Sequence, residues 1–174
     1  DGACLDAANL EGASLVGASL KKAKLESAVI VKANLTNADF TEALLPDAQL
    51  DESILENANF TKCDMENCSF YDVKAKGAKF NNSKLYLASL DYGDFNEADF
   101  TYCNLQFASF REANLKKANM KKALLKEARL IQTNLEDADL SGAILEGADL
   151  KDANVTGTIF TGAVLRGIKN KPTR

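Results

Sequence analysis

An apolar residue recurs at every fifth position of the 174-residue chain, from Leu5 to Leu165. This position is Leu or Phe throughout, except for Ile30, Met65, Ala75, Met120 and Val155. Two residues before it the chain carries a small or modest-sized residue, most often Ala. No insertion interrupts the phase, so the five-residue unit organises the whole sequence.

A period of five matches neither regular secondary structure. A helix advances about 100° per residue, so residues five apart point in directions about 140° from each other. In a flat strand an odd repeat turns the apolar face over at every unit. The chain must therefore bend within each unit, and the simplest solution is about three extended residues followed by a two-residue corner.

Four such units, with corners of about 90°, close a square coil of about 20 residues. The apolar residue and the small residue point inward, and the residue between them points outward. Coils then stack as parallel ladders about 4.8 Å apart, which predicts about eight coils and a solenoid about 40 Å long. Residues 121–130 would favour a helix on propensity alone, but propensity is weak against a pattern of this length.

The unit Ala-(Asp or Asn)-(Leu or Phe)-x-x resembles the repeat of the pentapeptide-repeat family. Clear examples are residues 33–35, 38–40, 98–100, 113–115 and 148–150. The resemblance covers nearly the whole chain and implies an all-β fold, a right-handed parallel quadrilateral β-helix. We therefore expect one repeat domain over residues 1–167 and a C-terminal tail over residues 168–174, where the period is lost.

The charge balance is mildly acidic, with 21 Lys and Arg against 25 Asp and Glu, a net charge of −4 and no His. This argues against a general nucleic-acid binder. No apolar run approaches the length of a transmembrane helix, and no signal-peptide pattern is visible. We expect a cytoplasmic protein, unless a targeting segment precedes Asp1.

Three of the four cysteines, Cys63, Cys68 and Cys103, occupy the inward small-residue position, where a free thiol packs as a small hydrophobe. Cys63 and Cys103 would lie two coils apart, about 10 Å, too far for a disulfide. Cys4 is predicted to lie outside. Without His or a Cys-x2-Cys spacing, the sequence predicts free structural thiols, no metal site and no cofactor.

Catalysis needs a concave pocket with convergent polar groups, and this interior should be filled by Leu, Phe and Ala. The chain has no His for general base work and no glycine-rich phosphate-binding loop. Asp and Asn recur in outward columns, as at Asp39, Asn59 and Asp99, rather than as an acid–base pair. The sequence therefore predicts no enzyme and no small-molecule substrate.

The middle of the chain, residues 61–110, carries all four Tyr and Phe107, the one Phe outside the five-residue phase, at predicted corners. Leu87 and Phe107 are 20 residues apart, so they should stack on consecutive coils with Tyr86 beside them. An exposed apolar patch can mark a binding surface, although scattered surface aromatics are also normal. The candidate partner surface comprises Tyr86, Leu87, Tyr92 and Phe107.

Two further features have alternative interpretations. The lysine-rich stretch 116–126 could bind phosphate, but cross-coil pairing predicts that Lys117 lies between Glu97 and Asp137 and that Lys126 lies next to Glu146. A second feature is an outward apolar column that either packs against another chain or only reflects β-propensity on a solvated side. Its consecutive members are Leu124, Ile144 and Val164, and Leu44 lies further along it.

The first functional interpretation is a rigid, non-catalytic solenoid that acts as a protein-interaction or scaffold module for an unidentified protein partner. A homodimer, through an end or through the Leu124/Ile144/Val164 side, is a further option. The family resemblance implies an alternative, because some members imitate B-form DNA, bind DNA gyrase or topoisomerase IV and protect it from quinolones. Those members tend to be strongly acidic and often carry loops, unlike this chain. A third interpretation is a structural spacer in a longer protein.

Overall fold

The computed structural model describes residues 1–171, and these form a stack of four-sided coils without helices. Two-residue turns, from residues 6–7 to residues 166–167, follow extended segments of three residues. Each extended segment pairs through its central residue alone, in parallel bridges between residues 20 apart, from Cys4–Lys24 to Asp149–Lys169. The chain is a right-handed parallel quadrilateral β-helix, which confirms the predicted fold.

The last bridge, at Lys169, lies two residues beyond the boundary predicted at residue 167. Residues 172–174 of the predicted tail lie outside the described residues. The four sides of the coil are named here by their outward columns. Face A runs from Cys4 to Val164, face B from Asn9 to Lys169, face C from Ser14 to Asn154, and face D from Ser19 to Ile159.

Each corner is a turn closed by a backbone hydrogen bond, for example from the N–H of Ala8 to the carbonyl of Leu5 at 3.0 Å. The second corner residue always has a positive φ, as in a type II turn. Glycine suits this geometry, as Gly12 shows with a φ of 65°. Residues with side chains, such as Lys22 and Leu87, also occupy this position, with φ values of 56° and 59°. The backbone hydrogen bonds keep the corner in this conformation for every type of side chain.

The recurring Asp and Asn of the motif complete the corner. In the inner coils the backbone N–H of the first corner residue usually finds no backbone carbonyl as its acceptor. The side chain of the preceding outward residue accepts this hydrogen bond instead. Asp39 Oδ1 accepts the N–H of Thr41 at 2.9 Å, and Asn59 Oδ1 accepts that of Thr61 at 3.0 Å. Burial alone would raise the pKa of Asp39, but hydrogen bonds from Thr41 and the nearby Lys21 outweigh it and lower the pKa. These columns are therefore local caps of the corners.

The inward residues form one continuous core, which is aromatic in the middle coils. Phe40, Phe60, Phe80 and Phe100 stack on consecutive coils, with ring centroids 4.8, 5.2 and 4.8 Å apart. Further Phe rings approach this stack edge-on, as Phe70 approaches Phe80 at 5.9 Å. Both arrangements are favourable for aromatic rings. The middle of the solenoid is thus held by a larger apolar cluster than either end.

In one unit the larger residue, Val73, occupies the usual small position, and the smaller residue, Ala75, occupies the usual large position. The coil that follows explains this exchange. Ala75 lies one coil before Phe95, and Val73 lies one coil before Gly93. A Cβ on Gly93 would come within 2.3 Å of the Phe95 ring. The ring therefore uses the space that a side chain at residue 93 would take, and the sizes compensate between neighbouring coils.

Polar side chains at the inward small position donate hydrogen bonds to backbone carbonyl groups of the coil before them. Ser53 Oγ donates to the carbonyl of Ile30 at 2.6 Å, and Cys63 Sγ donates to that of Phe40 at 2.9 Å. Burial raises the pKa of Cys63 and of Cys103 to about 12, and it raises that of Cys68 as well. These three thiols are free and neutral, whereas Cys4 is free and exposed, as the sequence predicted.

Candidate functional site

The exposed aromatic residues of the middle coils border face B, whose outward column is unusually small at this height. Ser69, Ser89 and Ser109 follow one another in this column, between Gln49 and Arg129. The same coils carry Lys, Asp or Asn in the outward columns of the other three faces. The three serines form a low, uncharged strip that we call the serine floor.

The corner before face B provides an apolar wall along the serine floor. Leu87 and Phe107 occupy its second position and are 50% and 42% exposed. The ring of Tyr86 meets that of Phe107 edge-on, with centroids 5.6 Å apart. Side chains of this column reach face B, because Glu127 in the same column accepts a hydrogen bond from Lys169 of face B at 3.0 Å.

The corner after face B provides a second, aromatic wall. Tyr71 and Tyr92 lie there with ring centroids 5.3 Å apart. The column of Tyr71 also leans over face B, because Asp51 of that column accepts a hydrogen bond from Ser69 Oγ. The Tyr92 hydroxyl donates to Glu112 at 3.2 Å, and this hydrogen bond raises the pKa of Tyr92.

The structure therefore divides the four candidate residues between two walls. Tyr86, Leu87 and Phe107 lie together at one edge of face B, and Tyr92 lies at the opposite edge. Sequence reasoning left Tyr71 out of the candidate surface, and it did not detect the serine floor. Aligning the sequence at a 20-residue period would have shown both, since Tyr71 falls in the corner after the serine column.

One end of the serine floor carries two arginines, with the carboxylates of Asp91 and Asp149 close by. Arg129 follows Ser109 in the outward column, and Arg111 lies at the corner beside it. Arg111 Nε and Ser109 Oγ are buried and have no hydrogen-bond partner within the part of the chain that the structure describes. Glu112 is 4.0 Å from the Arg111 guanidinium, which is the outer limit of an ion pair. We call this end the arginine end.

The lysine-rich stretch takes part in cross-coil ion pairs, as Lys116 pairs with Glu136 at 2.9 Å and Lys121 with Asp139 at 3.1 Å. Arg166 forms the ion pair with Glu146 and is the main cause of its lowered pKa, and Lys126, which lies next to Glu146 as expected, lowers this pKa further. Exposed long side chains select partners through their rotamers, which a repeat period does not specify.

The apolar column of face A is present as the sequence indicated, with Leu124, Ile144 and Val164 on consecutive coils. Ile144 and Val164 are 36% and 45% exposed, and Leu124 is half-buried. The second residue of each corner beside the exposed pair is glycine, at Gly142, Gly147, Gly162 and Gly167. The first corner residues do carry side chains, and Glu146 and Arg166 form an ion pair next to the apolar pair.

Two shallow depressions lie elsewhere on the surface, one along residues 153–158 of the last coil and one beside Leu44 and Pro46 on face A. Within residues 1–171, no three His, Cys, Asp or Glu side chains gather closely enough to hold a metal ion. The same residues contain no helix with the length and hydropathy that crossing a bilayer requires.

The coil geometry and the corner-capping motif define a pentapeptide-repeat solenoid. The family model described as "Pentapeptide repeat region" matches residues 3–80 and 51–120, and "Pentapeptide repeats (8 copies)" matches residues 128–167. Together these matches cover most of the sequence, so the chain belongs to the pentapeptide-repeat family, which confirms the resemblance drawn from the sequence.

Two solved structures show the similarity. HetL, a pentapeptide-repeat protein involved in heterocyst differentiation regulation from the cyanobacterium Nostoc sp. strain PCC 7120, is 26% identical, with a TM-score of 0.68 over 97% of this chain and 87% of HetL. QnrB1, a plasmid-mediated fluoroquinolone resistance protein, is 22% identical, with a TM-score of 0.73 over 90% of this chain and 88% of QnrB1. No curated protein shows significant sequence similarity to this chain.

Proposed function

We propose that this protein is a rigid, non-catalytic interaction module that binds a protein partner on face B, between the two walls of the serine floor. The observation that carries the proposal is the pairing of exposed aromatic and aliphatic walls across a floor of small side chains. The same coils present charged or amide side chains on their other faces. Exposed aromatic clusters with a polar surround are typical of interface centres.

A binding role agrees with the rest of the molecule. The interior is filled by packed side chains, and the chain has no His. HetL is involved in the regulation of a differentiation process, which supports a regulatory role exerted through binding.

The alternative of a DNA-like gyrase ligand has less support in this chain. The likeness to QnrB1 concerns the fold alone. The surface carries both signs of charge in cross-coil pairs such as Lys22–Glu42, rather than continuous acidic columns. A gyrase supercoiling assay, with and without a fluoroquinolone, tests this alternative, and inhibition or protection at low micromolar protein would favour it.

Self-association through face A and a cytoplasmic location are secondary proposals. Face A offers Ile144 and Val164 as a short apolar strip, bordered by the Glu146–Arg166 ion pair, that a second copy could cover. Sedimentation of the wild type against Ile144→Asp tests this contact, and equal masses at high concentration would reject it. The free cysteines agree with a reducing compartment, which cell fractionation would test.

The main proposal is tested with the double variant Leu87→Ser/Phe107→Ser. Its matched control is Leu44→Ser/Ile159→Ser, which removes side chains that are 46% and 45% exposed on faces A and D. We expect the wall variant to lose partners that the wild type captures from extracts of the source organism, quantified by mass spectrometry, and the control to retain them. Equal capture by both variants would reject the surface as the binding site.

A further inference from the structure

We infer that the segment bound on face B is a polyproline II stretch of the partner, laid along the solenoid axis with a carboxylate at the arginine end. This inference rests on the proposed function and specifies the chemistry of the ligand. It follows from what the backbone of face B can offer, from the spacing of the coils, and from the charge at one end of the serine floor.

The backbone of face B leaves no edge for strand addition. The N–H of Ser89 donates to Cys68 at 2.9 Å, and the N–H of Leu90 donates to Ser109 at 2.7 Å. These bonds join each coil to the coils on both sides, so a bound segment would find no unpaired ladder. A partner in β conformation would therefore have to leave its own backbone groups unmatched.

A helical partner also fits poorly between the walls. One side of a coil is about 10 Å wide, and exposed side chains stand at both of its edges, Phe107 beside Ser109 and Tyr71 beside Ser69. A helix with its side chains has a diameter of about 10–12 Å. A polyproline II segment is narrower, and its backbone needs no partner because it remains solvated.

The repeat of a polyproline II helix matches that of the coils. Three residues rise about 9.3 Å, and two coils rise about 9.6 Å, so every third side chain of the ligand meets an equivalent level of the solenoid. Side chains on one face of a β-strand are about 6.6 Å apart. They therefore fall out of step with the coils within the length of the serine floor. Tyr71 and Tyr92 on one wall and Phe107 on the other offer the aromatic surfaces on which proline rings pack.

The arginine end selects the charge of the ligand. Within the described residues the guanidinium of Arg129 forms no ion pair, and that of Arg111 has only the distant Glu112. Two further carboxylates lie close by but are bound to other groups: Asp149 accepts a hydrogen bond from Asn170, and Asp91 accepts the backbone N–H of Arg111. The nearby Glu127 is already paired with Lys169. A carboxylate on the ligand would supply acceptors for these guanidinium groups, which bind carboxylates in a forked geometry.

The experiment uses fluorescein-labelled peptides of about six prolines, long enough to span the serine floor, ending in two aspartates. A second peptide has the aspartates first, a third replaces them by lysines, and a fourth replaces the prolines by glycine and serine. Binding to the purified protein is followed by fluorescence anisotropy. Amide chemical shifts of Ser69, Ser89 and Ser109 report whether the peptide lies on face B.

We expect saturable binding of one of the two proline–aspartate peptides, with shifts at the three serines. Tyr71→Ser should weaken binding about tenfold, whereas Tyr102→Ser, a matched exposed tyrosine off face B, should leave it unchanged. Arg129→Glu should weaken binding of the aspartate peptide and strengthen binding of the lysine peptide.

The inference would be overturned by no saturable binding of either proline–aspartate peptide, or by binding that Tyr71→Ser and Arg129→Glu leave unaltered. Equal binding of the glycine–serine peptide would mean that charge alone is recognised, which also contradicts it. If the peptides fail while Leu87→Ser/Phe107→Ser still loses its captured partner, the proposed function stands and only the ligand class is wrong.

Discussion

The middle coils, residues 61–110, and the coils that follow them, residues 131–167, share one backbone and differ in what fills and covers it. The middle coils enclose stacked phenylalanines and carry tyrosines and Phe107 at their corners. The later coils enclose mainly Leu and Ala, and their corners are often glycine. The bridges keep the same 20-residue register through both regions.

This comparison separates what the fold requires from what the surface is free to vary. One inward unit accommodates a large ring because its neighbour is smaller, as Gly93 is beside Phe95. Outward and corner positions show no such compensation, since aromatic, charged and glycine residues occupy equivalent corners. The coil geometry therefore does not require the exposed aromatics that border face B.

The largest expected difference between the regions lies in their cores. Phe80→Ala should lower the free energy of unfolding by about 4 kcal/mol, because Phe80 stacks on Phe60 and Phe100. Leu140→Ala, in the same inward column of the later coils, should cost about 3 kcal/mol. Urea unfolding followed by circular dichroism measures both. Phe80→Leu is the control and should recover most of the loss, whereas equal losses for the two Ala variants would show that the aromatic stack adds nothing.

Alkaline pH should destabilise the molecule through its middle coils, which hold the three buried thiols. The folded state raises the pKa of Cys63 from 9.0 to about 12, so above pH 9 the unfolded chain releases protons that the folded chain keeps. Unfolding then becomes easier as pH rises, by about 1 kcal/mol for each thiol at pH 10, and the effect is absent below pH 8.

The triple variant Cys63→Ser/Cys68→Ser/Cys103→Ser isolates this contribution. Serine already occupies the same inward position at Ser53 and Ser83 with an equivalent hydrogen bond. Urea unfolding at pH 8 and pH 10 should show a shallower pH dependence for the variant. Parallel losses in wild type and variant would place the effect on the lysines and tyrosines instead.

Two glycine substitutions distinguish packing from backbone strain. Gly93→Ala should cost about 2 kcal/mol, because the new Cβ would lie 2.3 Å from the Phe95 ring, and adding Phe95→Leu should reverse part of this loss. Gly162→Ala in the later coils meets nothing within 4 Å and has only its φ of 69° to oppose it, so about 1 kcal/mol is expected. Thermal unfolding ranks the variants, and a larger loss at Gly162 would contradict the packing argument.

The fold could be predicted because a period of five admits one regular solution, and every unit from Leu5 to Leu165 repeats the same constraint. The wall formed by Leu87 and Phe107 followed from their 20-residue spacing. The serine floor could not be predicted from apolar spacing because its residues are small and polar, and Tyr71 belongs to the surface only through its position beside this column. The partner of Glu146 could not be predicted, since Lys126 and Arg166 both lie within reach and side-chain rotamers decide between them.

The tolerance of the left-handed corner position has a consequence for the divergence of such proteins. Because Lys, Glu, Asn, Leu and Tyr all occupy this position with nearly the same φ, substitutions there drift without loss of the coil. Sequence identity then falls quickly toward the contribution of the inward residues, in line with relatives that share the fold at 22–26% identity. Proteins of this fold can thus change their binding partner by exchanging corner residues one at a time. Their relationship to one another is then detectable mainly in the buried inward residues.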